Sequence, residues 1–505
     1  MQDAICNMHC ETLRILQATI IFLPPLHSLT ASAMYFLSQL LRTKPVGEAL
    51  GHQHPNNAAR PCLQRSLGAL DLVMLGIGAI VGTGIFVLTG TGAMMAGPGL
   101  SLSFIVAALA CGLAALSYAE FASSIPVAGS IYTYTYIAIG ELAAWLMGWI
   151  LALEYGLAVS AVSIGWSGYF QSLLSGFGIS VPIALQAAPG SIPGVATLFN
   201  LPAFLVVMLI TSLLAIGIHS TSKVNNVMVA IKIGVVLLVI GVGAFHVRPE
   251  NWRPFLPMGI SGVFQAAAIM FFAYIGFDAV SGASEEVKNP KRDLPIGIIG
   301  SLLVCTILYI AVTAVLTGIT PWQNFAGIAH PVSLSFQQIG VNWMAGCIDL
   351  AAVVGMLTVM LVMAYGQTRL LFAMSRDGLL PPALSTIHHR FKTPYLATWL
   401  VGLVFGLIGA LVPLQKLAEL VNFGTLSAFA MVSVSVIVMR HTHKDLHRGF
   451  RCPGVPWIPG VSIVMCLFLL MQLQTLTWIA FAIWVIAGLF VYFGYARKRA
   501  HIGRR

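Results

Sequence analysis

The sequence predicts an all-α membrane protein with about twelve membrane-spanning helices, and three observations carry that prediction. Of 505 residues, 58% are hydrophobic and 8% are charged, where a soluble domain carries about 25% charged residues. The apolar residues come in blocks of about 20 or more, the length that crosses a bilayer. The blocks show no strand alternation, and backbone polar groups in lipid must be satisfied within their own segment, so the blocks read as helices.

Residues 1–65 stand apart from the rest. Ile15 to Leu41 is apolar but carries Pro24-Pro25 at its centre, and Asp3 and Glu11 make a poor secretory n-region. We read 1–65 as a cytoplasmic N-terminal segment, with 1–33 as an upstream extension before a plausible start at Met34. The expected spans then run 70–95, 99–121, 140–170, 201–219, 223–245, 260–284, 295–318, 343–374, 396–413, 416–440, 455–474 and 476–496.

The net charge of +10 does not indicate nucleic acid, because the basic residues sit in short loops between the apolar blocks. Lys232 lies inside a block. With both termini cytoplasmic, only Arg248, Arg253 and Lys416 fall on the outer side, which is the asymmetry of a positive-inside topology. The expected location is therefore the cell membrane, multi-pass.

Two spans are interrupted. LGIGAIVGTGIFVLTG (75–90) carries five glycines, and FFAYIGFDAV (271–280) has Gly276 at mid-segment. They open two five-span units, 66–245 and 246–440, followed by two further spans and a basic tail in 441–505. An odd number of helices per unit inverts the second relative to the first. Glycine-broken spans at corresponding positions of inverted halves point to a transporter's binding site.

The chemistry follows from the breaks. Glycines let the backbone unwind at Ile80, Gly82, Thr83 and Gly84, and a half-helix starting there aims its amides and positive dipole end at the midplane, where a carboxylate fits. Close helix packing is the alternative use of such glycines. In the sixth span, unwound carbonyls across Phe271, Phe272, Ala273, Tyr274 and Ile275 suit an ammonium, with Phe272 or Tyr274 closing over it. Lys232 stands in otherwise uncharged VMVAIKIGVVLLVIG; a cation at bilayer depth costs at least roughly 2.5–3.5 kcal/mol and is functional by default. Snorkelling is its bland alternative. Its distance from the loop, on the order of 15 Å, argues instead for an amine that gains and loses a proton. Glu154, in the third span, could share that relay or sit as a structural carboxyl.

Other groups read as structural. Glu120 and Asp278 lie near span ends, Asp349 is ambiguous, and the thirteen histidines cluster in loops without metal-ligand spacing. The eight cysteines form no CxxC pair and read as small buried hydrophobes. SEEVKNPKRDLP (284–295) reads as an ordered turn. No nucleotide, zinc or nucleophile motif is present, so neither an enzyme nor an ATP-driven pump is indicated, and no cofactor or metal is expected.

From Leu67 to about Gly494 the chain resembles the amino acid–polyamine–organocation superfamily, within it the bacterial relatives of the cationic amino acid transporters. The stretches that carry the resemblance are SLGALDLVMLGIGAIVGTGIFVLTG (66–90), YAEFASSIPVAGSIYTYTY (118–136), GELAAWLMGWILALEYGLAVSAVSIGWSGY (140–169), NNVMVAIKIGVVLL (225–238), FFAYIGFDAVSGASEEVKNPKRDLPIGII (271–299) and GQTRLLFAMSRDGLLP (366–381). The resemblance implies a LeuT-type 5+5 inverted repeat plus two helices, and alternating access. It implies that Lys232 occupies the place of a sodium ion in sodium-coupled relatives, that Gly82–Gly84 and Phe271–Ile275 bind substrate, and that Phe272 is an aromatic gate. Where eukaryotic cationic transporters have an eighth-helix serine, this chain has Met363, which favours smaller neutral substrates.

The leading expectation is therefore proton symport of L-amino acids into the cell, with neutral ones favoured and cationic ones left open. An amino acid/amine exchanger on the same fold and a non-transporting sensor are the alternatives. The expected partners are an amino acid, protons and the lipid bilayer, with no nucleic acid; the oligomeric state is left open.

Overall fold

The computed structural model describes residues 40–46, 67–126, 130–192, 194–217 and 222–500; the readings made for residues 1–39, for 47–66 and for the last five residues lie outside them. Among the described residues there is no β-strand, only an isolated bridge between Leu67 and Val287.

The interrupted first span is α1 (Ala69–Ile80), a π-helical stretch Gly84–Leu88, and α2 (Thr89–Ala96). Then follow α3 (Leu100–Ser124), α4 (Ser130–Ala138), α5 (Glu141–Gly176), α6 (Leu201–Ile216) and α7 (Ser222–Ala244). The interrupted sixth span is α8 (Gly259–Met270), a 3₁₀ turn Phe271–Tyr274, and α9 (Ala279–Gly282). The chain continues with α10 (Pro290–Ile319), α11 (Pro331–Gln338), α12 (Asn342–Arg376), α13 (Tyr395–Leu411), α14 (Leu414–Thr442), α15 (Trp457–Met471) and α16 (Thr475–Val491). Among the described residues, eight apolar helical segments are long enough to cross a membrane, and four shorter apolar helices accompany them. The Gly97-Pro98-Gly99 turn divides the first span from the second, so these segments make up the expected spans.

Helix α10 begins at Pro290, before the expected 295. Pro290 takes the first helical turn, where its missing N–H is no loss, and the helix runs on through Pro295. The short helices α4 and α11 were not expected. Each is under three turns and lies outside the long apolar blocks, so neither shows in an apolar-block reading.

The two longest helices, α5 with 36 residues and α12 with 35, are each about 50 Å long at 1.5 Å per residue and pack against one another. Small residues set the approach. A Cβ at Gly148 would meet Met374 Sδ at 2.7 Å, and on α13 a Cβ at Gly402 would meet Thr211 of α6 at 2.0 Å. Trp149 of α5 and Trp484 of α16 stack at 4.6 Å, and each indole N–H donates to the other residue's carbonyl, at 2.9 and 3.1 Å. The outward faces of α6, α13 and α16 expose Leu205, Leu209, Leu400, Leu403, Ile479, Ile483 and Phe490, a surface that lipid and not water would cover.

The face rich in basic loops is tied by polar contacts. Glu120, at the end of α3, accepts from Arg440 Nε and Nη2, both at 2.8 Å, and from the Cys452 amide at 2.8 Å, with Arg448 Nε at 3.1 Å. This pins the loop after α14 and bears out the structural reading of Glu120. Lys44 Nζ pairs with Asp377 at 3.2 Å, and Tyr132 donates to the same carboxylate at 2.8 Å. Leu67 exchanges backbone hydrogen bonds with Glu286 and Lys288, both at 3.0 Å. That places an ordered turn over the first half of the SEEVKNPKRDLP cluster, 284–289, whereas 290–295, also read as turn, belong to α10.

Candidate functional site

A broken helix leaves its last carbonyls without intrahelical donors, and here side chains from other helices supply them. At the end of α1, Lys232 Nζ lies 2.9 Å from the Gly78 oxygen and 3.1 Å from the Val81 oxygen. The positive end of a lysine there also suits the negative end of the helix dipole. Lys232 is 1% exposed and reaches α1 from the α7 face that carries Val229, which packs against Gly78. The Tyr309 hydroxyl of α10 lies 3.0 Å from the Ile80 oxygen and 2.9 Å from the Ala273 oxygen. One hydroxyl proton faces two carbonyls, so it ties the first break to the sixth while satisfying one acceptor at a time. At the end of α8, Asn422 Nδ2 donates to Ala268 at 2.7 Å and Ile269 at 3.1 Å.

The two breaks are keyed into each other through glycines. A Cβ on Gly84 would fall 2.3 Å from the Ala273 Cα, and a Cβ on Gly276 would fall 2.9 Å from the Ala79 carbonyl carbon and Cβ. Gly276 also holds φ at +122°, a conformation that costs glycine little and other residues much.

Between the breaks is a small cavity of about 20 Å³. The first break gives it Ala79, Ile80, Gly82, Thr83 and Gly84, and the sixth gives Phe272 and Ile275. Ala158 and Val162 of α5 form one wall, and Val359 and Met363 of α12 form another. The π-helical stretch starts at Gly84, and a helix start leaves its first amides without intrahelical partners; of these the Phe86 amide donates to the Gly82 oxygen at 3.3 Å. Thr83 Oγ1 has a thioether partner, Met356 Sδ at 3.6 Å, a weak acceptor that a carboxylate oxygen would displace. The walls are otherwise apolar.

Of the residues singled out from the sequence, Ile80, Gly82, Thr83, Gly84, Phe272, Ile275 and Met363 meet at this cavity. Phe271 lies against Phe429 with ring centroids 5.5 Å apart, and Tyr274 donates to the Phe104 oxygen at 3.0 Å; both serve as packing behind the break. Ala273 supports Gly84, and its carbonyl is in reach of Tyr309. Lys232 stands behind α1 and off the cavity. Glu154, one turn from Ala158 on α5, accepts from Thr425 at 2.6 Å. Asp278 stands at the start of α9 without a side-chain cap there, and accepts from Tyr155 at 3.2 Å. Asp349 accepts from Ser172 at 2.7 Å. The residues that sequence reasoning missed are Ala79, Ala158, Val162, Val359, Tyr309 and Asn422. In sequence they are ordinary members of apolar helices, and only the crossing of those helices gives them a role.

A second, smaller cavity of about 10 Å³ lies among α5, α6, α12 and α13. Its three threonines, Thr211, Thr368 and Thr398, donate to carbonyls of their own helices, which leaves it apolar and without groups to orient a substrate.

The amino acid permease family model matches residues 67–495. The chain is 63% identical over 442 residues to the branched-chain amino acid permease BcaP of Bacillus subtilis, covering 88% of this chain and 95% of that protein. It is 50% identical over 469 residues to the methylthioribose transporter of the same organism, covering 93% and 100%. Against cationic amino acid transporter 9, chloroplastic, of Arabidopsis thaliana, identity is 34% over 535 residues, covering 92% and 94%. With its spans, its paired helix breaks and this match along nearly all of the described chain, the protein is a multi-pass membrane transporter and belongs to the amino acid permease family.

Proposed function

We propose that this transporter imports L-amino acids with apolar, especially branched aliphatic, side chains across the cell membrane by proton symport and alternating access, with both termini cytoplasmic. The observation that carries the substrate reading is the cavity between the breaks. Helix-end amides and Thr83 on one side suit a carboxylate, carbonyls at the breaks suit an ammonium, and Phe272, Ile275, Val162, Val359 and Met363 suit an aliphatic group. The name of the 63% identical relative supports it. The proton reading rests on Lys232, a buried amine bridging to the two carbonyls at the end of α1, whose bonding there depends on its proton inventory.

The 50% identical relative favours a second reading, transport of methylthioribose. A ribose would need several polar partners, and among the described residues Thr83 is the one polar side chain in the cavity lining, so the amino acid reading stands ahead of it. Both are tested in proteoliposomes with radiolabelled leucine, isoleucine, valine, alanine, arginine and methylthioribose, with and without an inward proton gradient. Gradient-driven accumulation of the branched amino acids supports the proposal. Uptake that needs internal amino acid and ignores the gradient would establish an exchanger. Preference for methylthioribose, or strong competition by decarboxylated amines, would overturn the substrate assignment. Lys232→Ala is expected to lose accumulation under the gradient; retention of the parent's accumulation would remove the lysine from coupling.

A further inference from the structure

Helix α12 meets both the lysine and the cavity through consecutive turns of one side. Gly355 faces Lys232, Met356 accepts from Thr83, Val359 lies against Gly82, and Met363 lines the cavity. At Gly355 the approach leaves no room for a side chain. A Cβ there would fall 2.9 Å from Lys232 Cε, 3.4 Å from Cγ and 3.5 Å from Cδ. The lysine side chain therefore lies along bare backbone of α12, which directs its amine onto the Gly78 and Val81 oxygens of α1. The Gly355 carbonyl is itself occupied, accepting from Thr358 Oγ1 at 2.7 Å, so α12 offers the amine a wall and no acceptor at that point.

We propose that Gly355 is a positioning residue for proton coupling: the groove it leaves in α12 fixes the Lys232 amine at the break of the first span. The inference rests on the reading of Lys232 as the coupling residue. A methyl at position 355 forces Cε away by roughly half an ångström or more, since carbon atoms settle at about 3.5–4.0 Å. The yielding group is the far end of a flexible side chain, so the helix need not move, but both hydrogen bonds of the amine are displaced. Among the described residues, the titratable group that interacts with Lys232 from α10 is Cys305, and α1 and α12 bring no charged side chain to it. The shifted amine thus gains no new ionic partner.

The test compares Gly355→Ala, Lys232→Ala, the double variant and a control, Gly346→Ala, on the same helix where an added Cβ meets nothing within 4 Å. Each is reconstituted and assayed for counterflow exchange, for accumulation under an inward proton gradient and for the pH profile of uptake. In a one-to-one symporter each pH unit supports about a tenfold concentration ratio. Gly355→Ala is expected to keep exchange, to accumulate toward a ratio of one, and to show a flattened pH profile, with Gly346→Ala like the parent. In the Lys232→Ala background the added methyl has room and should change nothing further, the signature of two residues acting as one. If Gly355→Ala alone is lost from the membrane, the double variant decides: recovery to the Lys232→Ala level supports the clash, and continued loss overturns it. Normal accumulation and an unchanged pH profile in Gly355→Ala, with Lys232→Ala uncoupled, would refute the role of Gly355 alone. Normal accumulation in Lys232→Ala would instead remove the reading on which it rests.

Discussion

Gly84→Ala should weaken substrate binding far more than its single added carbon suggests. The new Cβ would lie 2.3 Å from the Ala273 Cα and 2.4 Å from its Cβ, against a settled separation of about 3.5–4.0 Å. The breaks must part by roughly 1.2–1.7 Å, and the obstructing atoms include backbone, which no rotamer change clears. Overpacking of this kind costs about 1–3 kcal/mol in stability. An ångström of misplacement between binding groups can cost about a hundredfold in function, about 2.8 kcal/mol at about 1.4 kcal/mol per tenfold. Gly82→Ala gives the internal comparison: its Cβ meets a Val359 methyl at 3.0 Å, which can yield by a few tenths of an ångström. We expect the leucine Kd to rise about a hundredfold for Gly84→Ala and less than about tenfold for Gly82→Ala. Equilibrium binding of labelled leucine to purified protein, alongside thermal unfolding in detergent, reads both. A Gly84→Ala protein that binds leucine within about threefold of the parent would refute the contact between the breaks as a determinant of the site.

Three further outcomes follow from the same contacts. Tyr309→Phe removes the donor shared by the Ile80 and Ala273 carbonyls, and an unsatisfied buried acceptor costs about 1–3 kcal/mol, so leucine binding should fall about tenfold; unchanged affinity would sink the bridging role. Met363→Ser opens the α12 wall and supplies a hydroxyl, so the arginine-to-leucine uptake ratio should rise about tenfold or more, whereas an unchanged ratio with both activities intact would take Met363 out of the selectivity wall. Glu120→Gln leaves Arg440 and Arg448 without their carboxylate, and breaking such a largely buried group costs about 3 kcal/mol or more; a lower unfolding temperature is expected, and an unshifted one would show the cluster to be dispensable.

The spans were legible because lipid demands long apolar blocks, and a block of about 20 residues is hard to mistake. Their ends were less so: proline at Pro290 starts a helix as readily as it ends a turn. Glycine was legible as a break, yet sequence could not show that Gly84 rests on Ala273 or Gly276 on Ala79. Lys232 announced itself as a charge where charge is costly, but its carbonyl partners lie about 150 positions away. Glu154 announced itself in the same way, and the structure gives it a threonine partner on α14 and a place off the cavity. Tyr309 and Asn422 gave no signal at all, because a hydroxyl or amide in an apolar helix acquires meaning only from the orphaned carbonyl it reaches.

The interlocked glycines divide the cavity into surfaces that can and cannot vary. Where the first break meets the sixth, backbone touches backbone, and an added carbon displaces the whole arrangement. At Ala158, Val162, Val359 and Met363, side chains project from continuous helices, and one can be exchanged for another without unseating the breaks. New specificities on this scaffold should therefore arise by rewriting α5 and α12, leaving the contact between the breaks untouched. Libraries randomised at those four positions should yield working carriers of altered preference far more often than libraries randomised at Gly82, Gly84, Ala273 and Gly276.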